Sequence, residues 1–176
     1  MKTNIALIGF MGTGKSAIGR TLAAKLGWKF VEMDRLIEEM AGKSIPQIFE
    51  QDGEIGFREL EIEIAKRVAQ SRRQVIACGG GMVLNKINVD RLRETSWMVY
   101  LETSPEKILK RTSSGITERP LLNVPDPAQR IQELLDFRKP FYERSADITI
   151  DTSRFSINKI ADLIISRLKE DEGFNL

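Results

Sequence analysis

Short apolar or β-branched runs alternate with segments of helical periodicity along most of the chain. The five strand-like runs cover residues 4–8, 29–33, 74–78, 97–101 and 147–150. Strands separated by helical segments are typical of a parallel sheet with helices packed on both faces. The pattern therefore predicts an α/β fold with a central five-stranded parallel sheet.

Apolar stripes and capping residues mark several of the helices. Residues with helical spacing are Phe57, Leu60, Ile64 and Val68 in one segment and Ile157, Ile160, Ala161, Ile164 and Leu168 in the last one. Ser104 and Asp126 are each followed by proline, as is common at a helix N-cap. Pro140 is expected to end or kink the helix that begins after Asp126.

Two stretches depart from this alternation. Residues 34–70 contain more helical segments than one connection needs, and we expect an insertion that builds a second binding pocket. Residues 113–126 are polar and contain Gly and Pro, which predicts a mobile lid, although a surface loop without function is an alternative. A chain of 176 residues fits one domain, so we expect residues 1–176 to form a single domain with these two additions.

Composition narrows the chemistry. The 27 Lys and Arg residues are interspersed with 25 Asp and Glu residues, which favours a small anionic ligand over nucleic acid or a membrane surface. One cysteine and no histidine exclude an internal disulfide, a zinc cluster and a histidine-based triad. The N-terminus has no signal-peptide pattern, and we expect a cytoplasmic monomer.

The first strand runs into Gly9-x-x-x-x-Gly14-Lys15-Ser16, the full phosphate-binding loop pattern, with a helical segment after it. Backbone N–H groups of such a loop surround phosphate oxygens, the lysine reaches the β- and γ-phosphates, and the serine hydroxyl ligates Mg²⁺. We expect ATP to contact Gly12, Thr13, Gly14, Lys15, Ser16 and Ala17. A glycine-rich turn that binds nothing is the alternative.

Five further motifs follow in order: Glu32-Met33-Asp34, Phe57-Arg58-Glu59-Leu60-Glu61, Gly79-Gly80-Gly81, Glu118-Arg119-Pro120-Leu121-Leu122 and Arg138-Lys139-Pro140-Phe141-Tyr142. Together, over essentially the whole chain, they resemble the shikimate kinase family. The resemblance implies a three-layer P-loop kinase fold like that of nucleoside-monophosphate kinases. It also implies ATP-dependent phosphorylation of the shikimate 3-hydroxyl, with Mg²⁺, in aromatic amino-acid biosynthesis.

Shikimate has a carboxylate and three hydroxyls, so its site needs cationic groups and an acceptor for the reacting hydroxyl. The resemblance assigns Arg58 and Arg138 to the substrate, and a guanidinium can bind a carboxylate through two hydrogen bonds. Arg58 is also three residues from Glu61, so a plain surface ion pair is an alternative. Asp34 aligns with the catalytic aspartate of the family. Its alternative role is an N-cap for a helix that begins at Arg35.

The three glycines 79–81 remove every Cβ from the end of the third strand, so substrate or phosphate can approach the backbone closely. A sharp turn without a ligand is the alternative. Phe49 and Phe57 match aromatic positions of the shikimate pocket, although their periodicity favours the core.

The resemblance places three more arginines near the nucleotide. Arg119, in the candidate lid, aligns with the arginine that covers the transferring phosphate, and we count it with Lys15 and Asp34 as catalytic. Arg111 aligns with an arginine near the adenine, and Arg154 falls in the adenine-contacting loop. A solvated lid charge is the alternative for Arg119.

Two positions depart from the family pattern. Glu32 stands where an aspartate usually supports the metal, so Ser16 and Glu32 are the metal candidates with the geometry open. Cys78 replaces a small polar residue, and we expect it to be buried packing because Mg²⁺ prefers oxygen ligands.

Two other functions compete with shikimate kinase. Another small P-loop kinase, acting on gluconate or a nucleoside monophosphate, would share the phosphate loop. A non-enzymatic nucleotide-binding switch would share it too, although no Asn-Lys-x-Asp guanine motif is present.

Overall fold

The computed structural model describes residues 2–113, 122 and 124–170. Its strands are β1 (Asn4–Ile8), β2 (Lys29–Glu32), β3 (Gln74–Ala77), β4 (Ser96–Glu102) and β5 (Ile148–Asp151). Its helices are α1 (Lys15–Leu26), α2 (Met33–Ala41), α3 (Ile45–Ala69), α4 (Lys86–Thr95), α5 (Pro105–Ser113), α6 (Pro127–Ser145) and α7 (Ile157–Glu170). Each predicted strand is present, with ends that shift by at most one residue.

The five strands form one parallel sheet in the order β2-β3-β1-β4-β5. From β1 the chain passes to the edge strand β2 and returns to β3 between them, and it then continues on the other side of β1 with β4 and β5. Ligands of open α/β sheets bind at the carboxyl ends of the strands where the direction of building reverses. Here this is the end of β1, where the predicted phosphate loop begins.

Alternation of side chains along the strands divides the core into two layers. Ile5 and Leu7 pack with α1 and α7 on one face, whereas Ala6 and Ile8 pack with the remaining helices on the other face. Helices therefore cover both faces, as the predicted three-layer α/β fold requires.

The predicted insertion at 34–70 consists of α2 and α3. Ser44 and Gln47 form a capping box at the start of α3, and Gly53 interrupts this helix with φ 70° and ψ −175°. The second half of α3 carries the predicted stripe, with Phe57 and Ile64 buried. The start of this half, at Arg58, lies beside the turn that follows the carboxyl end of β3, and the helix then leads back to the beginning of that strand.

Two sequence expectations about helix ends need correction. The helix after β2 begins at Met33, with Glu32 before it, so Asp34 is in the first turn and is not the N-cap of a helix starting at Arg35. Pro140 does not end α6, which continues to Ser145. A proline removes one hydrogen bond to the carbonyl four residues earlier, and here that carbonyl belongs to the exposed residue Asp136. Water can therefore donate a hydrogen bond to the carbonyl of Asp136.

The predicted N-caps of the later helices are confirmed. Asp126 accepts a hydrogen bond from the Gln129 N–H at 3.0 Å, and the Ser104 hydroxyl accepts one from the Lys107 N–H at 3.5 Å at the start of α5. Most of the candidate lid at 113–126 lies outside the described residues. Within the described ranges, no helix is both long and apolar enough to span a bilayer.

Candidate active site

The phosphate loop connects β1 to α1 and needs glycine at its two ends. Gly9 has φ +145°, and a Cβ there would lie 2.3 Å from the Leu101 carbonyl oxygen. Gly14 has φ +97° and precedes α1 without a side-chain cap, so the first N–H groups of the helix have no capping side chain. An anion at this position would accept hydrogen bonds from the N–H groups and interact favourably with the helix dipole.

Lys15 lies over this loop. Its Nζ donates to the carbonyls of Gly9 and Phe10, both at 2.8 Å. These bonds hold the ammonium at the mouth of the loop, where the motif predicts the β- and γ-phosphates. Lys15 is therefore positioned to neutralise phosphate charge.

Contacts from distant elements hold the loop in place. Arg111 of α5 donates to the Gly12 carbonyl at 2.8 Å. Thr152, which follows β5, donates to the Thr13 carbonyl at 3.1 Å, and Thr13 itself donates to the Phe10 carbonyl at 2.8 Å. These bonds reduce the reorganisation that phosphate binding would require.

The two metal candidates are in direct contact. The Ser16 hydroxyl donates to the Glu32 carboxylate, and Arg20 pairs with the other Glu32 oxygen at 3.2 Å. The extra methylene of glutamate therefore does not keep its carboxylate away from the loop. Hydroxyl and carboxylate oxygens suit Mg²⁺, which usually takes few protein ligands beside phosphate and water. No cluster of three or more acidic or cysteine side chains that could hold a metal occurs in the described part of the chain.

Asp34 faces the triple-glycine turn. A Cβ on Gly79 would lie 2.9 Å from Asp34 Oδ1, so glycine at 79 leaves room for this carboxylate. Surrounding protein atoms raise the pKa of the Asp34 carboxyl, while the positive charges of Lys15 and Arg58 act in the opposite direction. Asp34 is nevertheless exposed to solvent, which limits this desolvation. A raised pKa makes the carboxylate of Asp34 a stronger proton acceptor.

Arg58 lies beside Gly81 of the same turn. Its guanidinium donates to both Glu61 oxygens, at 3.1 and 3.0 Å, and to Glu54 at 3.2 Å. A Cβ on Gly81 would lie 2.6 and 2.9 Å from its two terminal nitrogens. Glycine at 81 is thus required for the guanidinium to approach the backbone so closely.

The Arg58–Glu61 pair is present, but it is not a surface ion pair. The Glu61 side chain is 1% exposed, and burial raises the pKa of its carboxyl against the effect of the Arg58 charge. Asn88 also lies at hydrogen-bond distance from Glu61. A buried carboxylate with these partners restricts the rotamers of Arg58, so the pair and the substrate role are compatible.

Arg138 is a buried cation with an incomplete set of partners. It is 5% exposed, it lies 5.6 Å from the centre of the Phe10 ring, and its Nε has no hydrogen-bond partner in the described part of the chain. A Cβ on Gly80 would lie 3.7 Å from its guanidinium. Burial of a charge is costly unless an opposite charge compensates it, so this position favours an anionic ligand.

The aromatic and thiol candidates lie behind these charged groups. Phe57 is buried and its ring centre is 4.9 Å from that of the half-buried Phe49. Both rings pack against the core, so their predicted core role is confirmed. Cys78 is 2% exposed and burial raises the pKa of its thiol, which confirms the expectation of buried packing.

The remaining nucleotide candidates have different outcomes. Ala17 lies in the first turn of α1, and Arg111 touches the phosphate loop as described above. Arg154 is largely exposed and pairs with Asp151 at 3.2 Å, with no contact to the phosphate loop recorded among the described residues. Arg119 lies outside the described residues.

A second concave surface in the described part of the chain lies beside the candidate site. A cavity of about 390 Å³ lies beside the edge strand β2 and is lined by Arg20, Glu32, Arg35 and Arg67 among others. Arg20 and Arg35 are already paired with glutamates. The cavity meets the site only at Glu32.

A family model described as shikimate kinase matches residues 11–169. A shikimate kinase from Symbiobacterium thermophilum is 44% identical over 168 residues, which are 95% of this chain and 97% of that protein. The chain belongs to the shikimate kinase family.

Comparison with solved structures agrees with this membership. A shikimate kinase from Acinetobacter baumannii in complex with shikimate superposes with a TM-score of 0.92 at 37% identity, covering 98% of this chain and 96% of that one. A gluconokinase from Sinorhizobium meliloti superposes with a TM-score of 0.57 at 20% identity, and this likeness concerns the fold alone.

Sequence reasoning missed two residues that support the site of this shikimate kinase family member. Thr152 is 3% exposed and connects Thr13 to the end of β4, and Asn88 is fully buried beside Glu61. Thr152 lies two residues before the predicted nucleotide contact Arg154, and an uncharged threonine in a loop gives no sequence signal of its own. Asn88 has no sequence signal beyond a polar residue on the inner face of a short helix.

Proposed function

We propose that the chain transfers the γ-phosphoryl group of ATP to the 3-hydroxyl of shikimate. The observation that carries the proposal is the buried Arg138 guanidinium, whose Nε has no hydrogen-bond partner among the described residues and which lies beside Gly80, next to the Gly81 that Arg58 approaches. Two guanidinium groups around one turn suit a small carboxylic acid, because each can form charge-assisted hydrogen bonds to a carboxylate. Family membership identifies that acid as shikimate.

Each group has a separate part in the transfer. Arg58 and Arg138 hold the carboxylate, and the glycines 79–81 let the ring approach the backbone. Asp34 accepts the proton of the shikimate 3-hydroxyl. The oxygen of that hydroxyl forms a bond to the γ-phosphorus of ATP, and the bond between this phosphorus and the β–γ bridging oxygen breaks. The products are shikimate 3-phosphate, ADP and the proton taken by Asp34.

Lys15 and the loop Gly12–Ala17 hold the transferring and leaving phosphates, and positioning with charge neutralisation supplies most of the rate increase in such reactions. Ser16 and Glu32 would hold Mg²⁺, which supplies further charge neutralisation on the phosphates when bound. Arg111 steadies the loop from α5. Arg119 and Arg154 remain predicted nucleotide contacts.

The protein's two substrates are then shikimate and ATP, and we expect a monomer in the cytoplasm. We expect a single domain over 1–176, in which 34–70 supplies the shikimate pocket and 113–126 remains the predicted lid. Light scattering in solution measures the mass directly, with 20.0 kDa expected for a monomer.

A coupled assay of ADP formation tests the function. Purified protein with Mg²⁺-ATP is given shikimate, gluconate or a nucleoside monophosphate, and phosphorylated products are identified by mass spectrometry. Turnover with shikimate alone supports the proposal. Turnover with gluconate or a nucleoside monophosphate, and none with shikimate, would replace it by the competing kinase activity. Nucleotide binding without turnover of any acceptor would favour the switch.

A further inference from the structure

Tyr142 contacts two components of the proposed shikimate site, the triple-glycine turn and Arg138. It is fully buried on α6, one helical turn after Arg138, and its hydroxyl donates to the Gly80 carbonyl. Burial raises the pKa of its phenol to about 12, while the charge of Arg138 and a hydrogen bond from it act in the opposite direction. Tyr142 therefore remains a neutral hydrogen-bond donor at physiological pH.

The bond to Gly80 restricts the direction of the next N–H group. The described residues contain no cis peptide bond, so the Gly80 carbonyl and the Gly81 N–H point to opposite sides of one planar peptide. The buried Tyr142 hydroxyl lies on the carbonyl side of this peptide, so the N–H of Gly81 points away from Tyr142. Within the described part of this turn, the backbone N–H groups of Met82 and Leu84 have backbone acceptors and that of Gly81 has none.

The aromatic ring of Tyr142 is also held in place by a neighbouring ring. Its ring stacks on Tyr100, with ring centres 5.0 Å apart and planes inclined by 16°. Tyr100 belongs to β4, near the middle of the sheet, and is 3% exposed. The stack fixes the ring, and the fixed hydroxyl in turn orients its neighbours.

We propose that Tyr142 is a positioning residue for the acid substrate. Its hydroxyl holds the Gly80–Gly81 peptide so that the Gly81 N–H faces the bound acid, and it keeps the Arg138 guanidinium beside this peptide. The proposal rests on the proposed function, because it takes shikimate to be the acid bound there. Tyr142 does not touch the phosphate loop in the contacts described. Its effect should therefore concern shikimate and leave ATP unaffected.

The stacked pair offers a matched experiment. Tyr142→Phe keeps the ring and removes the hydroxyl, and Tyr100→Phe makes the same chemical change in the other ring of the stack. We expect Tyr142→Phe to raise the KM for shikimate roughly tenfold, as for the loss of one orienting hydrogen bond, with kcat within a few fold and the KM for ATP unchanged. Tyr100→Phe should leave the KM for shikimate within about twofold of the wild type.

The outcomes separate this inference from the proposed function. Equal shikimate KM values in the two variants, in a protein whose wild type phosphorylates shikimate, would overturn the positioning role alone. An equal rise in the KM for shikimate and for ATP would also overturn it, because a general loss of structure produces that result. A wild type without shikimate turnover would instead overturn the proposed function.

A second measurement applies if Tyr142→Phe does not fold. The chain has two tyrosines, so 3-fluorotyrosine incorporated into Tyr100→Phe protein gives one fluorine signal, from Tyr142. We expect this signal to shift when shikimate is added to the ADP complex and to stay unchanged on addition of ADP alone. A signal that does not respond to saturating shikimate would refute the role.

Discussion

Adding one methyl group at Gly81 tests how the site depends on the close approach of Arg58. A Cβ at this position would lie 2.6 Å from one terminal nitrogen of the guanidinium and 2.9 Å from the other. Gly81 has φ −97°, which alanine adopts without strain. The change therefore acts through the side chain of Arg58 and not through the backbone.

The size of the effect follows from these distances. The nearer nitrogen must retreat by about 0.8 Å to reach ordinary contact near 3.4 Å. A substrate hydrogen bond of about 2.9 Å that lengthens by this amount is lost, because contacts beyond about 3.5 Å are not hydrogen bonds. A hydrogen bond to a charged group contributes about 1.5–3 kcal/mol. With tenfold for each 1.4 kcal/mol, we expect the KM for shikimate to rise by about 10- to 100-fold.

Folding stability should also fall. The retreat of the guanidinium lengthens its hydrogen bonds to Glu61, whose buried carboxylate depends on them. Replacing glycine by alanine where the backbone permits it stabilises proteins by about 0.4–1 kcal/mol through the unfolded chain, which offsets only part of this cost. We therefore expect Gly81→Ala to melt lower than the wild type while remaining folded.

The assay varies shikimate at saturating Mg²⁺-ATP, and then ATP at saturating shikimate, with ADP formation coupled to NADH oxidation. Gly80→Ala is the comparison, because its Cβ would have no neighbour closer than 3.6 Å and would leave Arg58 in place. We expect a smaller rise in the KM for shikimate in this variant. Wild-type shikimate kinetics in folded Gly81→Ala would refute the proposed contact between Arg58 and the substrate.

Three further variants or reagents test other parts of the site. Lys15→Met should abolish turnover and leave the circular dichroism spectrum unchanged, because the ammonium donates two hydrogen bonds to carbonyls of its own loop. Measurable turnover above about 1% of wild type would contradict its phosphate role. Asp34→Asn should lower kcat by about 10²- to 10⁴-fold in steady-state assays, and wild-type kcat would refute its role as proton acceptor. Because the pKa of Asp34 is raised in the folded protein, its ionised form destabilises the fold at pH values above that pKa. Asp34→Asn should therefore have a higher melting temperature than the wild type at pH 7. This difference should vanish as the pH falls below the pKa that Asp34 has in the unfolded chain. Iodoacetamide should modify Cys78 only after denaturation, since burial raises its pKa and excludes the reagent, and rapid labelling of folded protein by mass spectrometry would place the thiol in an open site.

The order of elements and the phosphate loop follow from local sequence. Alternating apolar runs and helical stripes depend on neighbours within a few residues, and they predict the five strands and the last helices correctly. The loop at Gly9–Ser16 is equally local, because its glycines, lysine and serine act within one turn of the chain. The motifs that resemble shikimate kinase also predict the family, which the comparisons show.

The tertiary structure determined which side chains are buried and which residues contact each other, because these contacts join residues that are distant in sequence. Thr152 reaches the phosphate loop across 139 positions, and Tyr142 reaches Gly80 across 62. The sequence alone left Arg58 between a surface ion pair and a substrate ligand, and only packing around α3 buried Glu61 and removed the first interpretation. Pro140 likewise ends no helix, because the carbonyl it leaves unpaired belongs to a residue that faces solvent and the rest of α6 is held by its buried face. Local pattern thus determined which groups the chain possesses, and packing of the sheet and helices determined which of them meet, since contact between remote residues depends on how whole elements bury their apolar faces.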